Sequence, residues 1–222
     1  MISHKYKCIF LHIPKCAGTS VNKMLSEKTN FDYKSPNYEF LYGWCPKRKI
    51  FMQHATVQEL FELDLISANI WNSYYKFTII RNPWDRIISS FNWIKSDLKI
   101  NGSLTDFLFL KNKFSSISNP NPLTYRADHL KTQSEFIFFE DFKLDNIFNF
   151  DDIHNINFNK LLNCKNLELE HYKNSNLKKH YSNFYTNTQI KIVEKIYSED
   201  IINFSFKFDD MRKGLGLLKK FI

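Results

Sequence analysis

LHIPKCAGTS, residues 11–20, passes within ten positions from apolar side chains to proline, lysine, a lone glycine and two hydroxyls. A chain leaving a strand for a helix needs a turn residue and a cap, and this turn carries far more hydrogen-bonding capacity than that. Upstream, KCIFLH (residues 7–12) is short and apolar, as a buried strand should be, and downstream Thr19 to Lys28 can form a helix. The backbone N–H groups of Cys16, Ala17, Gly18, Thr19 and Ser20 can then point at one anion, which the helix dipole favours. Gly18 allows close approach and Lys15 adds a mobile positive charge. Thr19 and Ser20 either donate their hydroxyls to that anion or cap the helix.

A second unit of the same kind follows. YYKFTII (74–80) reads as another buried strand, RNPWDR turns the chain, and the next stretch places Ile87, Ile88, Phe91 and Ile94 at helical spacing. Between the two units, Thr56-Val57-Gln58-Glu59 has the form of a capping box and predicts a helix start just after His54. EFIFF (135–139) is expected to be a third strand, and NTQIKIVEKIYSEDIINF (187–204) one amphipathic helix. Strands alternating with helices argue for an α/β fold with a mainly parallel sheet covered on both faces, in which ligands bind beyond the carboxyl ends of the strands. The length suits a single domain over residues 1–222.

Lysine and arginine number 31 against 23 acidic residues, a net charge of +8 that favours an anionic ligand, nucleic acid or an acidic membrane surface. The basic residues are scattered, so no arm for nucleic acid is expected. Cys8, Cys16, Cys45 and Cys164 form no Cys-x-x-Cys pair, which predicts reduced thiols and no metal site. The first strand follows Met1 too closely for a signal peptide, and no apolar run approaches the ~20 residues needed to cross a bilayer. A soluble, cytoplasmic protein is the expectation.

The first turn is not the ATP-type P-loop, in which lysine follows the glycines and a hydroxyl holds Mg²⁺. Here Lys15 precedes Gly18. The order P-K-x-x-G-T-S, together with Arg81, Asn82, Pro83, Asp85, Arg86 and Ser89 in RNPWDRIISSF, resembles the two nucleotide-binding elements of sulfotransferases that use 3′-phosphoadenylyl sulfate, PAPS. HIPKCAGTS is similar to the HIPKTGGTS form of the Golgi-type carbohydrate sulfotransferases and their bacterial relatives, with Cys16-Ala17 replacing Thr-Gly. HATVQEL (54–60), FFEDF (138–142), HYKNS (171–175) and YSNFY (181–185) resemble further family segments in the same order.

The resemblance implies a P-loop-like three-layer fold, a first loop (Lys15 to Ser20) for the 5′-phosphosulfate and a second site (Arg81, Ser89) for the 3′-phosphate. It implies PAPS as cosubstrate, no metal, and a carbohydrate or glycolipid acceptor reached without a transmembrane segment, peripheral membrane contact remaining open. Lys15 suits the charge developing on the leaving oxygen, and His54 matches the family's general base. His12, before Pro14, reads better as an imidazole that braces the loop, and Glu140 is an alternative carboxylate. Arg81 could instead be a surface arginine paired with Asp85, and Asp85 and Arg86 are read as holding the turn. Lys173, Asn174 and Ser175 form a weaker candidate for closing over the nucleotide. A P-loop kinase and a catalytically silent nucleotide-binding module are the rival readings. Residues 31–50 and 96–128, which would select the acceptor, carry no recognisable code.

Overall fold

The computed structural model describes residues 1–170, 179–213 and 218–219. Its strands are β1 (Ile2–Ser3), β2 (Cys8–Leu11), β3 (Trp44–Cys45), β4 (Ile50–Phe51), β5 (Tyr75–Ile80) and β6 (Asn146–Asn149). Its α-helices are α1 (Gly18–Leu25), α2 (Val57–Glu62), α3 (Ala68–Ser73), α4 (Pro83–Asp97), α5 (Leu104–Leu108), α6 (Gln133–Ile137), α7 (Phe158–Leu161), α8 (Asn187–Ile196) and α9 (Ser198–Phe204). Among the described residues, Met1–Ile80, Pro120–Leu123 and 135–170 form one compact unit, and Arg81–Asn119, Thr124–Ser134, 179–213 and 218–219 form a second.

The first unit is mixed α/β, with a four-stranded sheet in the order β1-β2-β5-β6 flanked by helices. β1 runs antiparallel to β2, whereas β2–β5 and β5–β6 are parallel, with Leu11 opposite Thr78 and Ile80 opposite Asn149. All four residues of β2 are buried, as are the last five of β5, the pattern of central strands covered on both faces. The one hydroxyl among the buried side chains of β5 is satisfied: Thr78 Oγ1 donates to the Leu11 carbonyl at 2.7 Å. Parallel strands require a crossover, and the connection from β2 to β5 carries α1, the β3–β4 pair, α2 and α3. The expected capping box is present: Thr56 Oγ1 accepts from Glu59 N at 3.1 Å and the Glu59 carboxylate accepts from Thr56 N at 2.9 Å. Such a cap stabilises a helix start by about 1 kcal/mol.

The third parallel strand is β6, not EFIFF. Residues 133–137 are helical because the buried carboxylate of Asp200 accepts from the N–H groups of Gln133 (2.9 Å) and Ser134 (2.7 Å), satisfying donors that a helix start leaves open. Phe136 and Ile137 are both buried, whereas a half-covered strand would alternate.

In the second unit α4 starts as its sequence dictates, with Asn82 as N-cap accepting from Trp84 N at 3.2 Å and Pro83 in the first turn. Its apolar face, Trp84, Ile87, Ile88 and Ile94, packs into a core with Phe107, Phe114, Tyr185 and Tyr197. The stretch 187–204 is two helices rather than one. The break falls at Tyr197 (φ −107°, ψ 28°), whose buried ring places its hydroxyl 2.9 Å from the Leu130 carbonyl. Among the described residues no helix is long and apolar enough to cross a membrane.

Candidate active site

β2 ends at Leu11 and α1 begins at Gly18, so the turn between them lies beyond the carboxyl edge of the parallel sheet. Its backbone is unusual for residues with side chains: Lys15 has φ +69° and Ala17 φ +57°. Left-handed residues at alternate positions are typical of backbone concavities that bind anions, and each costs about 1–3 kcal/mol that the surroundings must offset. Ala17 is the N-cap of α1 and supplies no side-chain acceptor, and the first turn of the helix holds no acidic residue. The alternative role for Thr19 and Ser20 as caps is therefore absent; Thr19 is exposed and Ser20 half-buried. Cys16 is buried and its N–H donates to the Ile13 carbonyl at 3.2 Å, closing the turn. Lys15 is half-buried and Gly18 buried.

His54 stands in a single 3-10 turn, Met52–His54, immediately before the capping box of α2. Its Nδ1 is 3.0 Å from the His12 carbonyl oxygen. A carbonyl can only accept, so Nδ1 carries the hydrogen and Nε2 carries the lone pair of the neutral imidazole. The two imidazoles lie 4.4 Å apart between centroids. Burial, with the nearby His54 second, holds the His12 pKa well below the ordinary histidine value of 6.5. His12 Nε2 faces the Cα of Gly18 so closely that an added Cβ would lie 1.5 Å from it. Gly18 does not adopt the left-handed backbone, so space and not conformation requires glycine there.

In the second unit Arg81 is nearly buried, with 8% of its surface exposed. Gln133 clamps its backbone, Oε1 accepting from Arg81 N at 2.8 Å and Nε2 donating to Arg81 O at 2.9 Å. The pairing with Asp85 is present, Arg81 Nε donating to Oδ2 at 2.7 Å. Ser89 lies two turns along α4 and is mostly buried. Arg86 is fully buried, donates from Nη2 to Lys131 O at 2.6 Å and lies 5.4 Å from the Tyr197 ring centroid, which suits it to supporting the turn.

Glu140 is exposed in a turn that follows α6, without the strand end expected for it. Trp44, Trp71 and Trp84 are core residues and Trp93 stacks on His129. Lys173, Asn174 and Ser175 lie outside the described residues. The contacts that sequence reading missed are His12 against His54, Gln133 on Arg81 and Asp200 under α6. The 42 to 67 positions that separate the partners of their hydrogen bonds leave no local signal.

A strand-to-helix anion turn with a lysine, and a histidine whose tautomer leaves Nε2 as an acceptor, are parts suited to an enzyme that transfers an anionic group. A family model described as the sulfotransferase family matches residues 1–207, a span that includes both turns and His54. The chain belongs to the sulfotransferase family: it is a transferase that takes a sulfuryl group from a sulfate donor and passes it to an acceptor. No curated protein and no solved structure matches it. Among the described residues no group of three or more His, Cys, Asp or Glu side chains is placed to hold a metal ion.

Proposed function

We propose that the donor is PAPS and that the chain transfers its sulfuryl group to a hydroxyl of a carbohydrate or glycolipid. The observation that carries this reading is the turn at residues 12–20, an uncapped helix start with two left-handed residues, Lys15 and Ala17, and with His54 hydrogen-bonded at its base. The acceptor oxygen attacks sulfur, His54 Nε2 takes the hydroxyl proton, and the bond from sulfur to the 5′-phosphate oxygen breaks. Adenosine 3′,5′-bisphosphate leaves, with Lys15 and the backbone of Ala17, Gly18, Thr19 and Ser20 stabilising the charge on the leaving oxygen, while the Cys16 N–H closes the turn on the Ile13 carbonyl. Arg81 and Ser89 hold the 3′-phosphate, which takes no part in the reaction. Transferred sulfate carries less charge than a γ-phosphate, so the step runs without a metal.

The same reading makes residues 1–222 one sulfotransferase domain with a P-loop-like three-layer fold, cytoplasmic, touching a membrane only peripherally where its acceptor is a glycolipid. The family match running through both compact units supports a single domain. The test is ligand-dependent melting. Adenosine 3′,5′-bisphosphate should raise the melting temperature far more than AMP, which lacks the 3′-phosphate. Equal shifts, or a larger one with ATP and Mg²⁺, would favour a kinase. Turnover of radiolabelled PAPS across a set of saccharide and glycolipid acceptors, undiminished by EDTA, separates an enzyme from a silent binding module.

A further inference from the structure

The His12 side chain sits where the nucleotide turn meets the base. Its ring stacks on Phe10 at 5.7 Å with an interplanar angle of 16°, and its centroid lies 4.4 Å from that of His54, the two imidazoles tilted by 56°. Its Nε2 abuts Gly18 at the start of α1, and its Nδ1 is buried without a hydrogen bond. Its backbone carbonyl receives the His54 Nδ1–H. A solvent-facing loop brace would place a ring nitrogen on a partner or in water, because an orphaned buried acceptor or donor costs about 1–3 kcal/mol. Here the ring is instead wedged between the first anion-binding helix and the base.

We infer that His12 is a positioning residue for sulfuryl transfer, which holds the His54 ring in its Nδ1–H form and fixes its distance from the start of α1. The inference rests on His54 being the base. His12 itself exchanges no proton during the reaction. The charged or titratable groups that act on it are His54, Lys15 and the amino terminus of Met1, all cationic when protonated, and together with burial they keep its ring neutral. A neutral neighbour allows His54 to accept the acceptor's proton without facing a second positive charge at ring-contact distance. Gly18 belongs to the same device, because a side chain there would push the wedge toward His54.

Two measurements test this. In the unaltered protein, nitrogen NMR of the histidine rings should show neutral His54 with its hydrogen on Nδ1, and His12 still unprotonated where an ordinary histidine has taken up its proton. A hydrogen on Nε2 of His54, or ordinary titration of His12, overturns the inference without depending on any variant folding or on the acceptor being known. In His12→Asn, which keeps the backbone carbonyl but removes the ring, kcat should fall about 10- to 100-fold while bisphosphate affinity stays within about threefold. The acid limb of the kcat–pH profile should also move upward as water reaches His54. Unchanged kcat and pH profile would reduce His12 to packing. A protein that shows the expected tautomer but transfers no sulfuryl group would count against the proposed function and not against the wedge.

Discussion

Gly18→Ala sets two effects of opposite sign against each other. At an exposed helix position alanine is favoured over glycine by up to about 1 kcal/mol. At Gly18 the new methyl would lie 1.5 Å from His12 Nε2, 1.9 Å from Cδ2 and 2.2 Å from Cε1, overlapping the imidazole at its Nε2 corner. That ring is not the free end of a flexible side chain; Phe10 stacks on it and the His54 ring lies 4.4 Å away. Forcing extra volume into packed surroundings costs about 1–3 kcal/mol, and an overlap this deep belongs in the upper part of that range, so after the propensity gain the variant should lose about 1–2 kcal/mol. For a chain of this size that is a fall in melting temperature of about 2–8 °C. Urea unfolding at neutral pH would measure the loss directly, and turnover should fall with it because the turn before α1 and the proposed base His54 are displaced together. A variant as stable and as active as the parent would refute the reasoning, since it would mean that the His12 ring moves aside freely and constrains neither Gly18 nor His54.

Arg81→Ala should weaken binding of adenosine 3′,5′-bisphosphate by about 1.5–3 kcal/mol, the worth of a hydrogen bond to a charged group, while AMP binding measured by calorimetry changes little. Asp200→Ala leaves the buried N–H groups of Gln133 and Ser134 without their acceptor, and at about 1–3 kcal/mol each should cost about 2–5 kcal/mol in urea unfolding, with Asp200→Asn retaining part of it. His12 is held neutral in the folded protein but ionises near 6.5 when unfolded, so the unfolded chain binds more protons below that value. Stability should therefore fall as pH drops from 7 to 5, by up to about 1.4 kcal/mol per unit from this group, and His12→Asn should lose less over the same range; parallel curves would mean that His12 is not held neutral.

What could be read from sequence was chemistry made by neighbouring residues. The capping box from Thr56 to Glu59, the turn before α1 and the Asn82-Pro83 start of α4 all complete their contacts within a few positions. Anion binding by a helix start is of this kind, which is why the Lys15–Ser20 turn is legible in the sequence. EFIFF misled because its apolar run suits either state, and the deciding contact comes from Asp200, 66 positions beyond Ser134. The strand that takes its place, Asn146–Asn149, is short, half polar and at the sheet edge, so it carries little hydrophobic signal of its own; pairing with β5 makes it a strand. The break at Tyr197 is the same case, since nothing in YSED marks a helix end until Leu130 O supplies a partner for the buried hydroxyl. His54 shows the division within one residue. Its place before a capped helix is local and legible, but the hydrogen on Nδ1 is set by a carbonyl 42 positions earlier, and that hydrogen decides which nitrogen is left to accept a proton.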